Sequence, residues 1–333
     1  MPMPAALMID LTRGPAVESR HAVHAVVLRS GKTEAVYGDA ARPTFPRSAI
    51  KPLQAIALIE SGAADAFQLS PAEIALACAS HAGEDMHTTP VGAWLKRLGL
   101  DDAALECGAH APYHNPCLPV GNLCNNCSGK HTGMLTLAKH LGFALSGYVD
   151  VNHPVQQKIL QTVAEMCGCA ITPESCGIDG CSAPNPVMTL ENMAQGFASM
   201  IDPAKLSFKR GAACARILQS MRENPLLVGG SKRFDSAVIA ESHGEIICKI
   251  GGEGVYACVV PALSTTIALK VEDGAIRAAQ AALFVLLEKH GVFAALAEKK
   301  LVPADLAEKL RGKALPVQRN WRGTEVGTVR SEA

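Results

Sequence analysis

Residues 21–38 read HAVHAVVLRSGKTEAVYG, and this stretch decides the fold. Two runs rich in apolar and β-branched residues, His21–Arg29 and Thr33–Gly38, flank Ser30-Gly31-Lys32. Gly31 supplies the permissive backbone a tight turn needs, so the two runs predict adjacent strands of a hairpin. The pattern then becomes helical. From Ser48 to Ile59, Ile50, Leu53, Ile56 and Ala57 share one face, Pro52 falls in the first turn, and the run stops before Gly62. Ser70-Pro71-Ala72-Glu73 is a capping box that opens a helix reaching about Cys78. Further helices are expected over about Asp85–Leu98, Gly129–His140, Pro154–Cys167, Leu190–Met200 and Gly211–Met221. Strands resume at Ser236–Ile239, Ile246–Ile250, Tyr256–Val260 and Thr265–Glu272, and a helix covers about Ala275–His290. Cys107–Cys127 and Cys176–Pro186 read as irregular. Strands at both ends with helices between predict a mixed α/β fold whose sheet is assembled from distant pieces.

A chain of 333 residues is large enough to bury roughly 75% of its unfolded surface. One catalytic domain over residues 1–333, or two closely packed lobes, is expected. Net charge is zero, which leaves no basic footprint for nucleic acid or an anionic membrane and favours a small substrate. No run of about 18 consecutive apolar residues is present. The N-terminal MPMPAALMIDLTRG lacks a basic segment ahead of its apolar patch, so no secretory signal is expected. The twelve cysteines then read as thiols in a reducing cytoplasm, with Cys78, Cys214, Cys248 and Cys258 in the core.

Four clusters carry chemistry. Ser48-Ala49-Ile50-Lys51 puts a hydroxyl and an amine on one helical face, about 5–6 Å apart at Cβ. The amine activates a serine only when uncharged; reaching a pKa near 7 from about 10.4 takes roughly 4–5 kcal/mol, which burial and a nearby cation supply. Alone, the pattern equally describes a capped helix with a solvated lysine. Cys78-Ala79-Ser80-His81-Ala82-Gly83-Glu84-Asp85 is a turn able to present a serine, although such residues also make ordinary caps. His81 adjoins Ser80 but adjacent side chains point apart, which argues against a Ser-His pair. Cys124-Asn125-Asn126-Cys127-Ser128-Gly129-Lys130-His131 invites redox or zinc readings. A Pro-rich loop precedes it where a redox motif wants a strand, and no second C-x-x-C exists to complete a zinc knuckle; Cys176 and Cys181 are the candidate partners, the latter in the turn Gly177-Ile178-Asp179-Gly180-Cys181. Ser128–Thr132 lacks the earlier glycine of a phosphate loop and is not one. Lys249-Ile250-Gly251-Gly252-Glu253 ends a strand on a lysine before a glycine turn, as in β-lactamase-type sites.

Together these strings resemble the Rhizobium-type, thermolabile L-asparaginases, from about Arg13 to Gly327 and including Asn320-Trp321-Arg322-Gly323. The resemblance implies a serine-β-lactamase-like fold, with a central, mainly antiparallel sheet flanked by helices. It implies hydrolysis of L-asparagine to aspartate and ammonia through two serine–lysine tandems, Ser48 with Lys51 and Ser80 with Lys249; Lys270 is the fallback for the second lysine. It further implies Zn2+ held by Cys127, Lys130 and Cys181, substrate contacts from Arg47, Asp179 and His131, and a homodimer. Spacing rules alone favour His131 over Lys130 as ligand, but a neutral lysine is reasonable because a divalent cation disfavours a bound ammonium.

The expected mechanism is acyl transfer: a lysine takes the serine proton, the serine attacks the side-chain carboxamide, ammonia leaves and water frees the acyl group. Ser48 is the preferred nucleophile, since a helix N-terminus there would offer donors to the oxyanion. Two other readings compete. A penicillin-interacting serine peptidase or β-lactamase shares Ser-x-x-Lys; a non-catalytic zinc module would bind metal and release no ammonia. No visible pocket residue separates asparagine from glutamine.

Overall fold

The computed structural model describes residues 4–331. Its strands are β1 (Leu7–Arg13), β2 (Ala16–Arg29), β3 (Lys32–Tyr37), β4 (Cys176–Ile178), β5 (Pro184–Pro186), β6 (Ile247–Ile250), β7 (Val255–Val260), β8 (Thr265–Val271), β9 (Val317–Arg319) and β10 (Glu325–Ser331). The main sheet runs β6-β7-β8-β2-β1-β10-β9, and β3 pairs with the distal half of β2. All of these pairs are antiparallel. The expected class, a mixed fold with an antiparallel sheet flanked by helices, is the one observed.

The hairpin forms where residues 21–38 place it, with Ser30 and Gly31 both at positive φ (51° and 71°), the geometry of a tight two-residue turn. Side chains alternate across the sheet with period two. Val26 and Leu28 of β2, Ala257 and Val259 of β7 and Ala268 of β8 enter one core. Ala25 and Val27, Cys258 and Val260, and Ile267 and Leu269 enter the other. Helix Ile276–Lys289 covers the second face, and helix Leu190–Ile201 lies against β2, β7 and β8 on the first. Both faces are therefore covered, and Cys78, Cys214, Cys248 and Cys258 are buried as expected. All twelve cysteines are free thiols. Among the described residues, no single helix is long and apolar enough to cross a membrane.

Several elements differ from expectation. Ser236–Ile239 is not a strand; it lies in helix Phe234–Glu241. A short apolar run carries no period of its own, and here His243 and Gly244, at φ 53° and 76°, end the helix with Gly244 N–H donating to Ile239 O at 2.7 Å. The single helix expected over Ser48–Ile59 is broken into a 3-10 turn, Arg47–Ile50, then Lys51–Gln54 and Ile56–Glu60. Pro52 explains the tight start: an α-helical bond to Ser48 O would need its missing N–H, so Lys51 N–H takes that carbonyl instead. β1 and β10, which pair with each other, and the two short strands β4 and β5 were not expected. β4–β5 stiffens what reads as an irregular loop, and places Asp179 and Cys181 in its turn.

Candidate active site

Two helices that pack closely bring the serine and cysteine segments together. Helix Pro71–Ala77 opens on the expected capping box, Ser70 and Glu73 each satisfying the other's backbone. It ends at the turn carrying Ser80. Helix Ser128–His140 crosses it at Gly129, where a Cβ would collide with the Leu76 carbonyl. Only glycine permits this approach. Ser80 N–H then donates to Val228 O at 2.9 Å and His81 N–H to Asn126 O at 3.2 Å, which locks the turn between two other segments.

Lys51 projects into this junction and is 1% exposed. Its amine donates to Ala79 O and to Ser80 Oγ, the latter at 3.1 Å. The hydrogen-bonded serine of Lys51 is thus Ser80, whereas the tandem implied by resemblance was with Ser48. The Ser48 hydroxyl has no hydrogen-bond partner among the described residues and lines a narrow cleft with Arg47, Lys51, Gln54, Lys130, Asp179 and Asn185. Ser80, 4% exposed, lies behind Lys51. Lys249, on β6, points to the same sheet face as Ile247 and is equally buried. Burial, with the charge of Lys51, lowers its pKa to about 7 against the pull of Asp235. Its amine donates to Ile250 O at 2.8 Å, and no hydrogen bond to Ser80 is formed. Lys270 lies instead in an outer groove beside Arg42 and Glu253, so the fallback is not at this junction.

Next to Lys51 is a compact donor set. Ligand atoms of Cys127, Asp179 and Cys181 lie within 4.8 Å of one another, and Lys130 Nζ is 2.9 Å from Cys181 Sγ. A hydrogen bond from Cys127, reinforced by Lys130, lowers the Cys181 pKa to about 5 despite burial, making it a thiolate at neutral pH. The same bond pushes Cys127 up to about 12. Burial disfavours the Lys130 ammonium, yet Cys181 and Cys127 outweigh it and hold the pKa above the ordinary lysine range. Burial raises Asp179, but Lys130 and Arg47 overcome that and keep it low; Arg47 Nε donates to its Oδ1. Cys127 and Cys181 supply sulfurs of the kind zinc takes, with the Asp179 carboxylate close by, so the donor set fits the metal expected. Lys130, the third expected ligand, stands beside Cys181 with its proton held on.

His131 is fully buried. Glu106 N–H donates to Tyr148 Oη at 2.9 Å, and that hydroxyl is 2.9 Å from His131 Nδ1. Burial and Lys130 keep this ring neutral, and its Nε2 has no hydrogen-bond partner. The donor atoms grouped beside it come from Cys127, Asp179 and Cys181, and His131 is not among them. His81 turns away from Ser80: its Nδ1 accepts from Gly83 N–H and its Nε2 contacts Ser128 Oγ at 2.9 Å.

Several contributors carry no sequence signal of their own. Asn125 holds the cysteine loop, donating to Cys107 O and Gly108 O and accepting from Cys127 N–H. Asn185 Oδ1 accepts from Arg47 N–H at 3.2 Å, supporting Arg47 at its left-handed φ of 52°. Asp235 and Tyr148 are unmarked because their partners are distant in sequence. Asn125 and Asn185 did stand inside segments singled out in the sequence, Cys124–His131 and Cys176–Pro186.

The chain belongs to the L-asparaginase II family, whose model matches residues 9–331. Membership makes it an asparaginase-type amidohydrolase acting on a small molecule. Among solved structures it is similar to a β-lactamase from Mycobacterium bovis, at 13% identity and TM-score 0.41 over 74% of this chain and 86% of that one. A putative β-lactamase from Bacteroides dorei matches at 12% identity and TM-score 0.40 over 81% and 86%. A class C β-lactamase mutant matches at 11% and 0.36 over 75% and 87%. No curated protein matches the chain.

Proposed function

We propose that this protein is an L-asparagine amidohydrolase that works through a serine–lysine acyl-enzyme. The observation that carries the mechanism is the buried Lys51 amine, hydrogen-bonded to Ser80 while sharing a cleft with the unpartnered Ser48 hydroxyl. Ser48 is the nucleophile, because it faces the cleft. It attacks the side-chain carboxamide carbon as its proton passes to Lys51. The C–N bond breaks, ammonia leaves with a proton returned from the lysines, and an aspartyl ester remains on Ser48. Water then hydrolyses the ester, regenerating the hydroxyl. Ser80 and Lys249 form the second tandem, holding Lys51 in place and exchanging protons with it.

The zwitterionic end of an amino acid suits the Arg47–Asp179 pair: its carboxylate replaces Asp179 on the guanidinium while its ammonium takes the carboxylate. The unpartnered His131 Nε2 offers one further polar contact. Cys127, Lys130 and Cys181, with Asp179 beside them, would hold Zn2+, and Lys130 must lose its proton to join. When bound, the cation supplies fixed positive charge that orients the substrate's polar end. Twelve free thiols support a reducing cytoplasm, and the homodimer implied by resemblance is proposed with it.

Ammonia release from asparagine and glutamine, with metal analysis of the same sample, tests this reading. Release from asparagine with zinc bound is expected. Nitrocefin hydrolysis without ammonia release would favour the penicillin-interacting alternative, and bound zinc without any amide hydrolysis the non-catalytic one.

A further inference from the structure

Behind the two lysines stands a buried carboxylate that the mechanism does not use. Asp235 is 1% exposed and opens helix Phe234–Glu241. Its Oδ1 takes Ser236 N–H at 3.3 Å, but its Oδ2 has no hydrogen-bond partner and lies 3.9 Å from Lys249 Nζ. Gly229 makes room for it: a Cβ there would sit 2.7 Å from Asp235 Oδ1. Adjacent Val228 accepts the Ser80 N–H, so one short segment positions both the Ser80 turn and the carboxylate.

An orphaned buried carboxylate oxygen is retained only against a compensating charge. The groups facing Lys249 supply few alternatives. From its own strand comes Cys248, from the end of helix Pro71–Ala77 Cys78 and, just beyond it, His81, and from the metal loop Cys127; Arg233 and Lys51 are cations. Asp179 already pairs with Arg47, so the carboxylate left for the buried Lys249 amine is Asp235, 3.9 Å away.

We propose that Asp235 is a positioning residue for the reaction: it is the counter-charge that holds the Lys249 amine in place and favours its proton. This inference rests on the serine–lysine reading above. It gives that reading an ammonium able to return a proton to the leaving nitrogen. Asp235 touches no substrate and acts through Lys249.

The test is the pH profile of kcat/KM for the full-length Asp235→Asn enzyme. Losing the carboxylate lets Lys249 shed its proton at lower pH, so the limb it sets should move toward acid by about one unit or more. Asp235→Glu should restore the wild-type limbs. A lower rate with unmoved limbs would overturn the proposal, because a merely structural role reduces activity without shifting its titration. Lys249→Met separates the two levels of argument. If that variant keeps full activity, the role of Lys249 itself fails; if it is inactive while Asp235→Asn leaves the limbs unmoved, only the counter-charge fails. Should Asp235→Asn not fold, the double variant with Lys249→Met must regain the fold, and continued misfolding would contradict the pairing.

Discussion

At the scale of single residues, the division of labour between the serines is the testable point. Ser48→Ala should reduce turnover by about 1,000-fold or more while retaining metal and thermal stability; near-normal turnover in steady-state ammonia release would transfer the nucleophile's role to Ser80. Lys249 makes a second prediction. Its pKa, lowered to about 7 by burial and Lys51, places the limb of kcat/KM that it sets near pH 7. The sign for stability follows. The unfolded lysine binds its proton more tightly, so the penalty is present in full below about pH 7 and vanishes as pH rises toward the unfolded value. A shift of this size corresponds to roughly 4–5 kcal/mol, and urea titrations between pH 6.5 and 9.5 should show this group's contribution rising with pH. The cysteine segments were the legible part of this site, because Cys127, Lys130 and Cys181 sit in distinctive strings, whereas Ser48-x-x-Lys51 and the turn at Ser80 are patterns that ordinary helix caps share. What was not legible was pairing. The contact of Lys51 with Ser80 and the proximity of Asp235 to Lys249 depend on segments far apart in the chain, and local spacing favoured Ser48 for the former.

At the scale of elements, the active site depends on how closely helices Pro71–Ala77 and Ser128–His140 approach. Gly129→Ala forces a methyl against the Leu76 backbone, which cannot swing aside as a flexible side chain would. A loss of about 1–3 kcal/mol or more in denaturant unfolding is expected, together with weaker metal retention, because Lys130 and Cys127 flank the displaced residue. Unchanged stability would show that the crossing is loose. Elements with capping boxes or long periodic faces, such as Pro71–Ala77, Asp85–Arg97 and Pro154–Cys167, follow the sequence closely. Failures fall where a segment is short or externally constrained. Phe234–Glu241 is too brief for its period to declare itself, and Arg47–Glu60 is segmented by a proline whose effect depends on a single absent N–H.

At the scale of the whole molecule, the sheet is closed by strands from opposite ends of the chain. β10 pairs with β1 through Ile9–Ser331, Asp10–Arg330 and Leu11–Val329, and Val329 is buried. The alternation that revealed β2 is absent from the tail, where Gly323, Gly327 and charged residues interrupt it, so this pairing had no local signature. Truncation after Leu315 removes β9 and β10 and leaves β1 with an unpaired edge. The shortened protein should lose thermal stability and self-associate on size-exclusion chromatography; an unaltered monodisperse melt would mean that β1 is held by other contacts. Both sheet faces are covered, and the lysines are buried at the junction of the sheet with the helices. That burial is what holds an amine near neutrality in water.

The central claim, a covalent aspartyl ester on Ser48, is tested most directly by rapid acid quench of the enzyme during turnover of asparagine, followed by peptide mass spectrometry. The account predicts a mass increase of one aspartyl group on the peptide containing Ser48, lost in Ser48→Ala. The same adduct on the peptide containing Ser80, or ammonia release with no adduct on either serine at any quench time, would contradict it.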